Sequence, residues 1–176
     1  MYKQYKFPTY TALALSIALA LSAQAQQPSS APKQPGENPD AMFVQKAGEG
    51  GMAEVELSRL AEKSASSPEV RRFATHMVQD HSANNKELLT IAAHENISPP
   101  KDLDSEHAAI RDKLAAMRGA EFDRAYLDAM RNDHRKMDEL LKSSQATVST
   151  EELRTYIKKT TPVVEAHLQM AQNLKE

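Results

Sequence analysis

The chain has 176 residues and a nearly balanced charge, with 22 Lys and Arg against 24 Asp and Glu, and it contains no cysteine. The lack of cysteine excludes disulfides and thiolate metal sites. The mild net acidity is spread along the chain and argues against a nucleic-acid role, which favours a concentrated basic face.

The N-terminal segment has the pattern of a cleaved signal peptide. Lys3 and Lys6 precede an uncharged apolar run over residues 11–22, and an A-x-A cleavage motif follows at residues 23–25. The run is shorter than the roughly 20 apolar residues that a spanning helix needs. We therefore predict a signal peptide over residues 1–25, export to the periplasm or medium, and no transmembrane anchor after cleavage.

The segment after the signal peptide, residues 26–39, is rich in Pro, Gln and Ser and almost free of large apolar residues. This composition predicts a disordered linker. Residues 40–176 then have the length of one domain.

Helical periodicity starts at Asp40, a candidate N-cap, and predicts a first helix over residues 40–65. Three glycines interrupt its first half, at positions 48, 50 and 51. No strand or phosphate-binding motif surrounds them, so we interpret them as points where a neighbouring helix approaches closely.

The same periodicity predicts one short and three long helices further along, over residues 66–95, 104–117, 120–146 and 149–174. Pro99 and Pro100 end the second long helix, and Pro162 should kink the last. No segment alternates like a strand, so the chain is predicted to be all-α. The long connection over residues 96–119 favours a ferritin-like four-helix bundle with a short extra helix in the crossover, and a simple up-down bundle is the alternative.

Each long helix carries a polar residue in its apolar stripe: Glu54, His81, His134 and His167. A buried carboxylate or imidazole is costly unless it is paired, hydrogen-bonded or bound to a metal. Counted from the helix ends, the first three lie at similar depth in the bundle, whereas the level of the fourth depends on topology. We therefore predict that these residues meet in the core.

Acidic neighbours accompany two of these histidines. Asp80 precedes His81 and Asp133 precedes His134, within the related pentapeptides MVQDH and MRNDH. His76 lies one turn before Asp80 and could form a second layer with it. Asp133 is expected near the centre of its stripe, and His134 nearer the margin.

This set of side chains suits a transition metal. Neutral imidazoles with carboxylates favour copper, zinc or iron, and an adjacent Asp can orient a ligating His through its second nitrogen. Thioethers of Met77, Met130 and Met170 near the same layers would favour copper. A closed hydrogen-bond network of the same residues, without metal, is the alternative. His94 and His107 are interpreted as surface residues.

Four segments, FVQKAGEGGMAEVELSRLA, VRRFATHMVQDHSANNKELL, GAEFDRAYLDAMRNDH and VVEAHLQMAQNL, resemble the domain-of-unknown-function family DUF4142, often labelled "predicted outer membrane protein". The resemblance implies a ferritin-like fold and an envelope location, and no established activity. Positions typical of the family are similar to Glu54, Asp80, His81, Asp123, Tyr126, His134 and His167 here.

No Glu-x-x-His motif occurs in the mature sequence, which argues against a di-iron carboxylate enzyme. The first hypothesis is a periplasmic bundle that binds or buffers a transition metal, with no catalytic residue assigned. A structural or stress-related envelope protein, in which the polar residues only specify helix register, is the alternative. A redox or radical enzyme using Tyr126 is a third hypothesis, although a core role for Tyr126, with its hydroxyl bonded to Asp123 or Glu54, is favoured.

Overall fold

The computed structural model describes residues 38–174. They form five helices and no strand: α1 Pro39–Ser64, α2 Pro68–His94, α3 Ser105–Ala115, α4 Gly119–Ser144 and α5 Glu151–Asn173. The all-α prediction is confirmed. The predicted signal peptide, and the predicted linker up to residue 37, lie outside the described residues. Across the described part of the chain, no helix combines the length and apolarity needed to cross a bilayer.

Side chains of the expected types begin these helices. The Ser67 hydroxyl accepts from the first-turn amides of α2, and Asp104 and Thr150 cap α3 and α5 in the same way. The first helix differs from the prediction, because Asn38 is its N-cap and Asp40 is buried inside the first turn. The Asp40 carboxylate therefore does not cap α1, and it binds a residue of another turn instead.

The four long helices pack side by side. Helix α1 contacts α2 and α4, and α5 contacts α4 and α2. Helix α3 lies within the long connection between α2 and α4 and packs on α1 and α4. Helix α5 continues through Pro162.

A buried carboxylate near the start of α4 closes the α1–α2 turn. Asp123 Oδ1 accepts from the Ser66 amide at 2.9 Å, and Oδ2 accepts from the Ser67 amide at 2.8 Å and from the Ser66 hydroxyl at 2.5 Å. The start of α4 is thereby held at the α1–α2 turn.

Asp40 does the same at the other end of the molecule. Its Oδ1 accepts from the Ser149 amide at 2.7 Å, and its Oδ2 accepts from the Ser149 hydroxyl. The start of α1 is thus held at the α4–α5 turn. Together the two aspartates make α1 and α4 run antiparallel.

The apolar core has two clusters, separated along every long helix. One cluster contains Leu57, Ala61, Val70, Phe73, Ala74, Met77, Phe122, Tyr126, Leu127, Met130 and Ala171 among others. The other contains Phe43, Val44, Ala47, Leu88, Ile91, Ala92, Leu141, Leu153, Tyr156, Ile157 and Val164 among others. The segments between them carry the four polar residues singled out in the sequence, which we call the central polar layer: Glu54, His81, His134 and His167.

The glycines of α1 lie where other elements approach its backbone. A Cβ at Gly48 would meet the Pro100 ring at 2.7 Å, and one at Gly51 would meet the Asn85 side chain at 2.0 Å. A Cβ at Gly50 would lie 2.9 Å from the methyl group of a methionine in α4. The close approach of a neighbouring helix is confirmed at Gly50 and Gly51, whereas Gly48 lies against the connection between α2 and α3.

Replacing Asp123 by Ala should lower the free energy of unfolding by about 2–3 kcal/mol, because it leaves the Ser66 and Ser67 amides without their partner. Urea unfolding followed by circular dichroism measures this change. Asp128→Ala is the control on the same helix, because its side chain is 71% exposed and pairs with Arg131 at the surface. The control should cost less than about 1 kcal/mol, and equal losses in the two variants would contradict the role of Asp123.

Candidate metal centre

The central polar layer consists of one side chain from each long helix. Glu54 and His134 are 0% exposed, His81 is 3% exposed and His167 is 1% exposed. His134, expected near the margin of its stripe, is therefore as deeply buried as Glu54. Four polar side chains enclosed between two apolar clusters must form hydrogen bonds or ion pairs with one another, or bind a ligand.

Glu54 lies between two imidazoles. Its Oε2 is 2.8 Å from His81 Nδ1, and its Oε1 is 3.3 Å from His134 Nδ1. These are ion-pair distances, but neither oxygen has a partner with hydrogen-bond geometry among the described residues. The Glu54 carboxylate thus orients the rings of His81 and His134 so that the Nδ1 atom of each faces α1.

A row of contacts continues from His81 to the surface. His81 Nε2 lies 3.2 Å from His167 Nδ1, and His167 Nε2 lies 3.0 Å from Asp80 Oδ2. His76 Nε2 is 3.4 Å from the same Asp80 oxygen. The side chains of His76 and Asp80 are 46% and 37% exposed, so the row ends in solvent.

Each of the three buried rings also contacts a group other than its two neighbouring rings. These contacts determine which ring nitrogen is available to bind a cation. One ring nitrogen from each of His81, His134 and His167 lies within 4.8 Å of the other two. His134 Nδ1 donates to the Met130 carbonyl at 2.8 Å, which makes its Nε2 an acceptor, and that Nε2 is buried with no partner among the described residues. With a proton on His81 Nδ1 facing Glu54, and one on His167 Nε2 facing Asp80, all three rings would direct lone pairs inward.

Glu54 and His81 form a buried ion pair in the absence of a metal. Burial opposes ionisation of Glu54, but His81 and His134 outweigh it and lower the pKa of Glu54 to about 2. Burial likewise opposes protonation of His81, but the Glu54 carboxylate outweighs it and raises the pKa of His81. The contact between Glu54 and His81 therefore stabilises the ionised form of each group.

The other two rings are neutral. Burial lowers the pKa of His134, only partly opposed by Glu54. Burial and the positive charge on His81 lower the pKa of His167 to about 4. Neutral imidazole is the form that ligates metals, so these two rings need lose no proton to bind one.

Three residues singled out in the sequence have their nearest polar partners outside the central polar layer. Asp123 closes the α1–α2 turn, and the Tyr126 hydroxyl bonds to Ser58 Oγ at 2.8 Å. Tyr126 was expected to meet Asp123 or Glu54, but it meets a serine one turn beyond Glu54 instead. Asp133 is buried and faces α3, away from the stripe centre, with its Oδ1 3.8 Å from His107 Nε2.

The interpretation of His107 as a surface residue was wrong, because α3 buries it against α4. Its Nδ1 contacts Asp104 Oδ2 at 2.6 Å, and its other nitrogen faces Asp133. Asp133 and Asp104 outweigh burial and raise the pKa of His107 to about 9. The spacing of Asp104 and His107 within one helical turn was the available sequence signal. His94 is exposed, as predicted.

The three methionines near the central polar layer are core residues. Met77 and Met130 are fully buried in the apolar cluster beside the layer, and Met170 packs against that cluster. Thioethers on a helical stripe fill apolar space well. The imidazole nitrogens therefore form the convergent donor set.

A profile of the family described as "Domain of unknown function (DUF4142)" matches residues 24–174. This range covers all five helices up to the last described residue. A comparison of the sequence with curated proteins finds no significant match.

Three solved structures resemble the fold. The "putative secreted protein DUF305 from Streptomyces coelicolor" has a TM-score of 0.66 and 17% identity, over 76% of this chain and 88% of that one. A DUF305 fragment from Deinococcus radiodurans has a TM-score of 0.68 and 13% identity, over 76% and 93%. CopM in the Cu(II)-bound form has a TM-score of 0.65 and 17% identity, over 76% and 93%. At these identities the likeness concerns the fold.

The buried histidines predict that the stability of the metal-free protein is greatest near pH 6.5. The raised pKa values of His81 and His107 stabilise the fold fully below about pH 6.5 and lose that effect as pH rises through the folded values, about 9 for His107. The lowered values of His134 and His167 destabilise the fold as pH falls from about 6.5 toward about 4.

Each proton contributes at most about 1.4 kcal/mol per pH unit. Urea unfolding from pH 5 to pH 9 measures the profile. His107→Gln should weaken the decline above pH 6.5 and leave the decline below it unchanged. A free energy of unfolding that rises steadily from pH 7 to pH 9 would be incompatible with these ion pairs.

Proposed function

The chain belongs to the DUF4142 family, and we propose that it is an exported helical protein that binds one transition-metal ion through His81, His134 and His167. The convergence of three buried ring nitrogens within 4.8 Å carries this proposal.

The spacing of the nitrogens suits a metal. Two ligands on a tetrahedral ion with metal–nitrogen bonds of about 2.0–2.1 Å lie about 3.3 Å apart. His81 Nε2 and His167 Nδ1 are 3.2 Å apart. The Nε2 of His134, which is buried without a partner among the described residues, supplies a third ligand.

Glu54 takes a different role from the predicted one. It contacts the Nδ1 atoms of His81 and His134, which leaves the Nε2 atom of each ring for the ion. A carboxylate in that position orients a ligating ring and raises its basicity. Asp80 does the same for His167. We therefore assign Glu54 and Asp80 to orientation and the three histidines to ligation.

Copper is the favoured ion, followed by zinc. An all-imidazole set without thiolate suits both, and copper binds most tightly of the divalent first-row ions. The fold resembles CopM, a protein whose structure contains Cu(II). The ion would be stored or buffered, because the described residues around it include no Glu-x-x-His pair or tyrosine hydroxyl bonded to the layer.

The architecture and location follow from the same observations. We infer that the two antiparallel helix pairs and the long connection between α2 and α4 form a ferritin-like bundle. The signal-peptide pattern in residues 1–25 supports export, as does the description of one structural relative as a secreted protein. A periplasmic or extracellular metal-binding protein fits both.

The alternative function is structural, and one observation favours it. The Glu54–His81 ion pair links α1 to α2 without a metal, and such pairs can fix helix register. In that case the layer would contribute to stability and bind nothing.

Titration of the purified metal-free chain with Cu(II) and Zn(II) should show one ion bound per chain. At a free-metal concentration one hundred times Kd, the free energy of unfolding should rise by about 2.7 kcal/mol. The double variant His81→Gln, His134→Gln should lose this tight binding and the stabilisation that accompanies it. His94→Gln, which alters an exposed histidine on the same helix as His81, should lose neither. Equal binding by the double variant and the wild type would disprove the site.

Replacing Glu54 by Gln separates the two functions. The metal site predicts that one ion still binds, with an affinity about 10–100-fold lower, because the rings lose their orienting carboxylate. Both functions predict a loss of about 1–3 kcal/mol in the unfolding free energy of the metal-free protein. Calorimetric titration and urea unfolding of this variant measure the two quantities. A loss of stability with no bound metal, in this variant and in the wild type alike, would favour the structural function.

A further inference from the structure

His167 belongs to two clusters of donor atoms, one on each side of its ring. Its Nδ1 faces His81 inside the core, at 3.2 Å. Its Nε2 faces Asp80 toward the surface, at 3.0 Å. A single ring therefore separates the buried donor set from a second, outer one.

The outer cluster contains the donor types of a metal site. One ligand atom from each of His76, Asp80 and His167 lies within 4.8 Å of the other two. His76 Nε2 is 3.4 Å from Asp80 Oδ2, and the rings of His76 and His167 have centroids 5.3 Å apart. Two imidazoles with a carboxylate are a common set for divalent transition metals.

Exposure distinguishes the two clusters. His76 and Asp80 of the outer cluster have side chains 46% and 37% exposed, whereas His81 and His134 of the inner cluster are 3% and 0% exposed. The inner rings also contact the Glu54 carboxylate and the Met130 carbonyl, and both of these residues are fully buried. An ion arriving from solvent can thus reach His76 and Asp80 without any movement of the core.

We propose that His76, Asp80 and His167 form a second, solvent-facing transition-metal site, from which the ion passes to the buried site through the shared ring of His167. This inference rests on the proposed function of the buried histidines, and it adds the route by which they are filled.

The shared ring makes the two sites sequential. A neutral imidazole has one lone pair, on either Nδ1 or Nε2. His167 can therefore complete the outer site or the inner site, but not both at once. The ring has its proton on Nδ1 while Nε2 holds the ion; as the ion moves to Nδ1, that proton is released to solvent and Nε2 takes up another. The chain should consequently hold one tightly bound ion at equilibrium, and the outer site should affect the rate of binding more than the final affinity.

Stopped-flow mixing of the metal-free chain with Cu(II), followed by absorbance in the visible, tests this order of events. His76→Gln should slow formation of the buried complex by at least about tenfold, in line with the effect of losing one coordinating partner. Its equilibrium Kd should change by less than about threefold, because release slows along the same route. His94→Gln is the matched control, because it removes another exposed histidine of α2 that also pairs with a carboxylate, Glu152 at 3.5 Å.

The double variant His81→Gln, His134→Gln keeps the outer cluster and provides a second measurement. It should bind Cu(II) quickly and weakly, and adding His76→Gln should abolish that binding. Equal rates in the wild type and His76→Gln would overturn the loading site while leaving the buried site intact. Absence of Cu(II) from the buried histidines of the wild type would overturn both, and the two failures are therefore distinguishable.

Discussion

The ion pair between Glu54 and His81 is the constraint around which the core is arranged. Two charges cannot lie in an apolar interior unless they contact each other closely, and their Oε2–Nδ1 distance is 2.8 Å. This contact fixes α1 against α2 at the level of the layer. It also determines the protonation of the rest, because the charge on His81 contributes to keeping His134 and His167 neutral. One ion pair thereby produces both a fixed helix position and two rings able to ligate.

The two ends of the molecule make that precision attainable. Asp123 binds the α1–α2 turn, and Asp40 binds the α4–α5 turn, so each helical hairpin is anchored by the first turns of a helix from the other. The layer lies between these anchors, with an apolar cluster on each side of it. Because both ends are fixed, a shift of one helix along another would break several buried hydrogen bonds at once. The positions of the imidazoles along the bundle are therefore set by contacts far from them.

The sequence predicted the helices and the depth of the layer, because both depend only on local periodicity and on counting from helix ends. Rotation about a helix axis was predicted less well. His134 and Asp133 differ by 100° on α4, and both are buried because α3 covers the flank that Asp133 occupies. The periodicity of α4 carries no information about that docking. The partners of Asp40 and Asp123 lie 109 and 57 residues away along the chain, so local sequence could identify acidic helix starts but not the turns they bind.

Helix register alone does not require the arrangement found on the inner side of the rings. The Glu54–His81 pair would specify register by itself, and a leucine at position 134 would fill the same space without a polar atom. Instead, a histidine there donates to Met130 and leaves Nε2 buried without a partner among the described residues, at a cost of about 1–3 kcal/mol. The ring of His134 also belongs to the group in which one nitrogen from each of His81, His134 and His167 lies within 4.8 Å of the other two. A cation bound by the three histidines would give the Nε2 of His134 a partner. It would also explain why the Glu54–His81 pair lies beside that ring.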